Sequence, residues 1–203
     1  RFEYLTNLWY DHLDRQDINS AYEVYNDDYY FTDLWNCFAT YSRTYLRRFY
    51  KQSMGNKSIL DATSDSKIIV DIGCGIGYTT SCLTQMYPNS RVYGLNLKGT
   101  KQWTFCENMS KKYNFTMIES IDEIGENVDF IFASEFFEHI LDPNEYVTNL
   151  VNKISPKWMI IANAFNTRSI GHFNIYDHEQ GQLTSDVMSK KFNQRSEEHT
   201  SEL

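Results

Sequence analysis

The sequence predicts a doubly wound α/β fold built on a parallel sheet, and three observations carry that expectation. From Lys67 onward, short apolar runs rich in Val, Ile and Phe alternate with amphipathic stretches of helical period. The first run, Lys67–Val70, passes through Asp71 into a loop with glycines at 73, 75 and 77, and then into a helix. With 203 residues and 41% hydrophobic content, the chain has material for one such domain and an appendage. Strands alternating with helices imply right-handed crossovers and parallel pairing. Ligands of such sheets bind beyond the carboxyl ends of the strands, where the glycine loop falls.

Residues 1–56 read as a helical N-terminal extension. Phe2, Leu5, Trp9 and Leu13 recur at helical spacing, and so do Leu34, Phe38, Tyr41, Tyr45 and Phe49, behind a cap at Thr32 or Asp33. Gly55-Asn56 is expected to stop the second of these helices. The aromatic stripe reads as packing on the sheet domain, and a substrate-covering role for Tyr22 to Phe31 is the competing reading. Arg43, Arg47, Arg48 and Lys51 fall on one side of the second helix and read as a solvated face.

Expected strands are Lys67–Val70, Arg91–Leu97, Phe115–Ile118, Val128–Ala133 and Lys157–Ala162. The first helix between them runs from Gly77 to Tyr87-Pro88, and the second from Thr100 to Tyr113 with Trp103, Cys106 and Met109 on one face. The third opens at Asp142, which can cap, with Pro143 in the first turn and Glu145 completing a capping box. Tyr146, Val147, Leu150, Val151 and Ile154 form its inward stripe. Glu119 to Asn127 is too short and too acidic for a full helix, so that crossover is expected to be abbreviated. Leu183–Gln194 reads as the helix after the fifth strand.

No apolar run approaches the roughly 20 residues of a membrane helix, and the N-terminal RFEYLTNLWYDHL lacks a signal-peptide layout. Cys37, Cys74, Cys82 and Cys106 lack the paired short spacing of a zinc site and are too few for a disulfide framework, so reduced thiols in a cytoplasmic setting are expected. The chain opens on Arg1 rather than methionine, and its last nine residues, RSEEHTSEL, read like an in-frame translation of a sequencing adapter. Residues 195–203 are therefore read as a non-native tail, leaving 57–194 for the α/β domain. The net charge is −8, and the −2 of the tail (Arg195 against Glu197, Glu198 and Glu202) leaves −6 for the rest. That balance disfavours nucleic acid as a partner.

A glycine-rich turn between strand and helix lets a ligand approach the backbone without interference from Cβ. The dinucleotide fingerprint G-x-G-x-x-G serves a pyrophosphate, whereas the spacing here is D-x-G-x-G-x-G. A carboxylate at Asp71 is poorly matched to a diphosphate and well matched to a ligand with cationic groups. VDIGCGIG at 70–77 resembles the first motif of the class I S-adenosylmethionine-dependent methyltransferases, and VDFIFASEFFEHILDP at 128–143 resembles the fourth-strand segment of their ubiquinone-pathway O-methyltransferase subgroup. The resemblance spans about residues 67 to 165. It implies a Rossmann-like sheet of parallel strands in the order 3-2-1-4-5, followed by two further strands. It also implies S-adenosylmethionine as cofactor, with Asp71, Gly73, Cys74 and Gly75 around the methionine part. Leu97 would pack on the adenine, Ser120 and Ile121 on its other side, and Ala133 and Ser134 would flank the sulfonium end. The residue ending the second strand is acidic in the family and grips the ribose hydroxyls; here it is Asn96, which loses the charge-assisted bonds.

Glu135, Glu138 and His139 stand at i, i+3 and i+4, so a helical turn would project all three to one side. Two carboxylates and an imidazole form a partial shell for Mg²⁺ or another divalent metal such as Mn²⁺ or Zn²⁺, with a fourth ligand from His172 or His178. In the resembling families this turn is a metal site in some small-RNA 2′-O-methyltransferases and in ubiquinone-pathway enzymes. The alternative is that Glu138 and His139 only pair with neighbours or orient the loop. His139 is also the candidate catalytic base for an oxygen acceptor, its ordinary pKa lying near neutrality.

The function expected is methyl transfer from S-adenosylmethionine to an oxygen or nitrogen of a small-molecule or unknown acceptor. The alternative is a non-catalytic cofactor-binding module that docks a partner, and a nicotinamide oxidoreductase is disfavoured by Asp71 and the glycine spacing. About 30 residues lie between Ala162 and the tail, too few for the family's final strand pair. Lys157–Ala162 is therefore expected at an exposed apolar sheet edge.

Overall fold

The structure is a computed structural model that describes residues 1–31 and 46–201, the backbone alone at 54 and 194–201. In chain order the main elements, short helical turns such as Ile18–Ala21, Tyr22–Asn26 and Ile59–Ala62 apart, are α1 (Phe2–Asp14), β1 (Ser53–Met54), β2 (Lys57–Ser58), β3 (Ile68–Ile72), α2 (Tyr78–Met86), β4 (Arg91–Leu95) and α3 (Lys101–Tyr113). They continue with β5 (Thr116–Ile118), β6 (Phe130–Ser134), α4 (Pro143–Ile154), β7 (Trp158–Ala162), β8 (Ile175–Tyr176), β9 (Leu183–Thr184) and α5 (Ser185–Ser201). The chain forms two compact units, one from Phe31–Phe132 with Pro156–Ile160, the other from Arg1–Tyr30, Ala133–Ser155 and Ile161–Leu203. The helix expected over Leu34, Phe38, Tyr41 and Tyr45, its cap at Thr32 or Asp33, and Arg43 and Cys37 lie outside the described residues.

The first unit holds the five-stranded sheet, except for the last two residues of β6 and of β7. Strand order is β5-β4-β3-β6-β7, which is 3-2-1-4-5 for the five sheet strands, the order that the family resemblance implies. β3 pairs in parallel with β4 from Ile68↔Arg91 to Ile72↔Leu95, and β4 with β5 from Tyr93↔Thr116 to Leu95↔Ile118. The Trp158 amide donates to the Asp129 carbonyl and the Glu135 amide to that of Ala162, so β6 and β7 also climb together. All five residues of β3 are buried, as a central parallel strand covered on both faces requires. Its expected end at Val70 is exceeded because the ladder continues through Asp71↔Gly94 and Ile72↔Leu95.

Phe49, Ile69, Leu83, Tyr87, Cys106, Phe130 and Phe132 make the core of this unit. The Thr100 hydroxyl accepts from the Trp103 amide at 3.1 Å and starts α3, and Asn114, at φ +58°, ends it. The abbreviated crossover is one 3₁₀ turn, Ile121–Glu123, held by a capping box of Ser120 and Glu123. Gly55-Asn56 does not cap a helix. It is the two-residue turn of the β1–β2 hairpin, with Gly55 at φ +62°, a conformation that a tight antiparallel turn demands. Among the described residues the sheet ends at β7, all five of whose residues are half-buried.

The second unit packs Leu5 and Trp9 of α1, Ala21, Val24, Val147 and Leu150 of α4, and Met188 and Phe192 of α5 into its interior. Phe2, expected in the α1 stripe, is 41% exposed. Asp142 caps α4 by accepting from the Glu145 amide at 2.9 Å, with Pro143 in the first turn. Phe192 meets Phe137 at 4.7 Å and Phe165 at 5.3 Å between ring centres. Helix α5 starts at Ser185 rather than at Leu183, because Leu183 and Thr184 pair antiparallel with Tyr176 and Ile175. No helix among the described residues is long and apolar enough to cross a membrane.

Candidate functional site

The glycine loop of the first unit is held by backbone and by two side chains. Gly73, Gly75 and Gly77 have φ of +71°, +54° and +83°, the left-handed region that side-chain-bearing residues avoid. The amides of Gly73 and Cys74 both donate to the Leu95 carbonyl, at 3.0 and 3.1 Å, tying the loop to the end of β4. A Cβ on Gly77 would lie 2.7 Å from Cys106 Sγ and 3.0 Å from the Phe115 ring, so close packing on α3 excludes a side chain there.

Asp71 is buried, and its Oδ2 accepts from the Thr80 hydroxyl at 2.7 Å. Burial pushes its carboxyl up to about 7, and the Thr80 bond opposes the shift. A buried carboxyl with one donor is poised to ionise against a cationic ligand. Sequence reasoning identified Asp71 but missed Thr80, a hydroxyl in the first turn of α2 that only folding brings back over the strand end.

Asn96 is committed within the protein. Its Nδ2 donates to the Gly75 carbonyl at 2.7 Å and its Oδ1 accepts from the Leu97 amide at 2.8 Å. Leu97 is 62% exposed, an apolar surface beside the loop. Ser120 heads the 3₁₀ turn that contains Ile121, and Cys74 Sγ lies 3.8 Å from that of Cys106. Cys74, Cys82 and Cys106 are free thiols. Ala133 and Ser134 end β6 and belong to the second unit.

The second unit gathers Glu138, His139 and His172, whose donor atoms, one from each residue, lie within 4.8 Å of one another. The chain leaves β6 through Glu135, which has φ +53° and donates its amide to the Ala162 carbonyl at 2.7 Å. That left-handed residue breaks the expected helical turn. The 3₁₀ turn spans only Phe137–His139, so Glu138 and His139 join the group, while Glu135 is not one of its three ligands but lies beside Glu138. His178 also stands outside, accepting from the Gln180 amide at 3.1 Å.

Each member of the group is fixed by contacts remote in sequence. Glu138 is fully buried; its Oε1 accepts from the Ala164 amide at 2.9 Å, and its Oε2 has no hydrogen-bond partner among the described residues. Burial, then the charge of Glu135, pushes the Glu138 carboxyl up to about 8. His172 Nδ1 meets the Thr167 carbonyl at 2.8 Å, and Trp9 Nε1 donates to the His172 carbonyl at 2.8 Å. His139 Nδ1 meets the Tyr25 hydroxyl at 2.9 Å. Burial, then His172, holds His139 down to about 3, so the imidazole is neutral near pH 7 and a weak base. A neutral imidazole pair beside a buried carboxyl, which a cation would ionise, fits a divalent cation. Sequence reasoning found Glu138, His139 and the option of His172, but it gave Tyr25, Trp9 and Thr167 no such part.

Residues 70–161 match the family model described as a methyltransferase domain. The chain is similar to a chloroplastic tocopherol O-methyltransferase of Arabidopsis thaliana, 25% identical over 56% of this chain and 35% of the relative. It is similar to a ubiquinone biosynthesis O-methyltransferase of Methylobacterium sp. (strain 4-46), 29% identical over 48% of this chain and 41% of the relative. It is also similar to a (S)-coclaurine N-methyltransferase of Thalictrum flavum subsp. glaucum, 32% identical over 37% of this chain and 22% of the relative. The chain thus spans less than half the length of each of these three. Among solved structures, a coclaurine N-methyltransferase bound to N-methylheliamine and SAH matches with a TM-score of 0.41 and 22% identity, over 54% of this chain and 37% of that one.

Proposed function

We propose that this chain, whose residues 70–161 match a methyltransferase domain, is a class I S-adenosylmethionine-dependent methyltransferase that moves the methyl group of that cofactor to an oxygen or nitrogen of a small-molecule acceptor. The observation that carries the reading is buried Asp71 at the head of a loop whose three glycines all have positive φ. S-adenosylmethionine supplies a methyl group on a sulfonium, a leaving group already charged. The protein's part is to bind it and align the acceptor. Asp71 would face the cationic methionine end once ionised, the glycines leave the backbone open to it, and Leu97 offers apolar surface to the adenine. With Asn96 engaged by Gly75 and Leu97, the ribose is held without the family's carboxylate.

Calorimetric titration with S-adenosylmethionine and with NAD, followed by a labelled-methyl screen of small-molecule acceptors, tests this proposal. Binding of S-adenosylmethionine alone, with transfer to an acceptor, is the expected result. Binding of NAD instead would overturn the cofactor assignment, and binding without transfer would favour the docking-module alternative. The net charge of −8 supports a non-nucleic-acid acceptor, and the free thiols fit a cytoplasmic setting.

Glu138, His139 and His172 are assigned to a divalent cation, a reading supported by the unpaired Glu138 Oε2. A cation held there supplies Lewis acidity toward an acceptor oxygen. His139 is assigned as a ligand before a proton acceptor, since an imidazole held near 3 has little basicity at neutral pH. Transfer rates after chelator treatment and metal re-addition test this, with loss and recovery expected. Activity indifferent to both would remove the cation. In the same assay His139→Ala is expected to lower the rate at saturating cofactor and acceptor, and a wild-type rate would remove His139 from either role.

A further inference from the structure

The N-terminal segment lies outside the family match, yet it reaches the Glu138–His139–His172 group at several points. Trp9 Nε1 donates to the His172 carbonyl at 2.8 Å, and the Tyr22 hydroxyl donates to the His139 carbonyl at 3.3 Å. The Tyr25 hydroxyl lies 2.9 Å from His139 Nδ1. These contacts differ in kind. Trp9 and Tyr22 hold backbone, whereas Tyr25 addresses an imidazole nitrogen directly.

The two histidines are oriented by different partners. A carbonyl can only accept, so the Thr167 carbonyl at 2.8 Å places a hydrogen on His172 Nδ1, and the Ala164 backbone is a further partner of that ring. At His139 the side-chain partner is a hydroxyl, which can donate or accept, and the Gly171 backbone is a second hydrogen-bond partner of the ring. When Tyr25 accepts from Nδ1–H, His139 presents its Nε2 lone pair. The room for this pair is made by Gly171, at φ +84°, where a Cβ would lie 2.0 Å from the Tyr25 hydroxyl and 2.4 Å from His139 Nδ1. The Tyr25 ring is itself set by Tyr22, stacked at 5.9 Å, and by edge contact with Tyr30 at 5.0 Å.

We infer that Tyr25 is a positioning residue, supplied by the N-terminal segment, that sets the tautomer and ring orientation of His139 so that Nε2 is offered to the cation alongside Glu138 and His172. The inference rests on the cation reading above. Outer partners of this kind orient metal-binding histidines and raise their basicity as ligands. Tyr25→Phe keeps the ring among its aromatic neighbours and removes only the oxygen.

The test is a Co²⁺ titration of the full chain, read by visible absorption and by calorimetry, for the wild type, Tyr25→Phe and Val147→Ala. Val147 is buried in α4 of the same unit, and its truncation reports general loosening of the fold. The wild type is expected to bind, Tyr25→Phe to lose roughly 10- to 100-fold in affinity, and Val147→Ala to stay within about threefold on the same scale. The ring ¹⁵N shifts of His139 without metal are expected to report Nδ1–H in the wild type and a changed tautomer mixture in Tyr25→Phe. Wild-type affinity and unchanged shifts in Tyr25→Phe would overturn the role of Tyr25 while leaving the cation site intact. An equal affinity loss in Val147→Ala would reduce Tyr25 to a packing residue. Absence of Co²⁺ binding by the wild type would remove the cation reading and this inference together.

Discussion

Asp71 and Asn96 show how single residues tune the loop. An aspartate whose folded pKa is about 7, against an ordinary 3.8, is stabilising in its neutral form. Its contribution is complete below about pH 4 and is lost as pH rises through 7. Asp71→Asn is therefore expected to match the wild type near pH 4 and to exceed it at pH 8 by on the order of 2–4 kcal/mol. Urea melts of the ligand-free protein across that range check the crossover, and parallel curves would show that Asp71 is ionised throughout. At Asn96, exchange for aspartate removes the donor to the Gly75 carbonyl and sets a carboxylate against it. Asn96→Asp is expected to cost about 1–3 kcal/mol, read from the shift in urea midpoint.

The element that concentrates constraint is the turn from β3 into α2. Gly77 combines a φ of +83° with sulfur and ring atoms where its Cβ would stand. Gly77→Ala is expected to destabilise by roughly 2–4 kcal/mol, from left-handed strain and overpacking together. Thermal melts of Gly77→Ala alone and with Cys106→Ala separate the two, since removing the sulfur should restore part of the loss and leave the backbone cost. The turn after β6 departs from the sequence pattern for a similar reason. Glu135 sits at φ +53°, and the i, i+3, i+4 spacing of Glu135, Glu138 and His139 stops describing one face once the first residue leaves the helical region.

Across the molecule, the sheet among the described residues ends at β7, whose apolar residues Trp158–Ala162 are all only half-buried. An apolar edge strand is a template for pairing with another chain. Heating is therefore expected to give irreversible, concentration-dependent association, followed by light scattering and by a second calorimetric scan. A sharp melt that repeats fully on rescanning would contradict it.

The sequence by itself determined what is local and periodic. The alternation from Lys67 gave the strands and their parallel pairing, and the resemblance to a known family gave their order; Thr100 and Asp142 marked helix starts by their own side chains; D-x-G-x-G-x-G marked the loop after β3, whose three glycines all have positive φ. Boundaries slipped where pairing decided them, as when β3 ran on through Ile72 and Leu183–Thr184 formed a strand. Only the tertiary structure decided which distant side chains meet. Thr80 reaches Asp71 from the next helix, Asn96 turns inward to Gly75, and Trp9 and Tyr25 reach His172 and His139 across 163 and 114 residues of chain. Such contacts follow from how packed elements bring remote surfaces together, and no repeat in the chain encodes them.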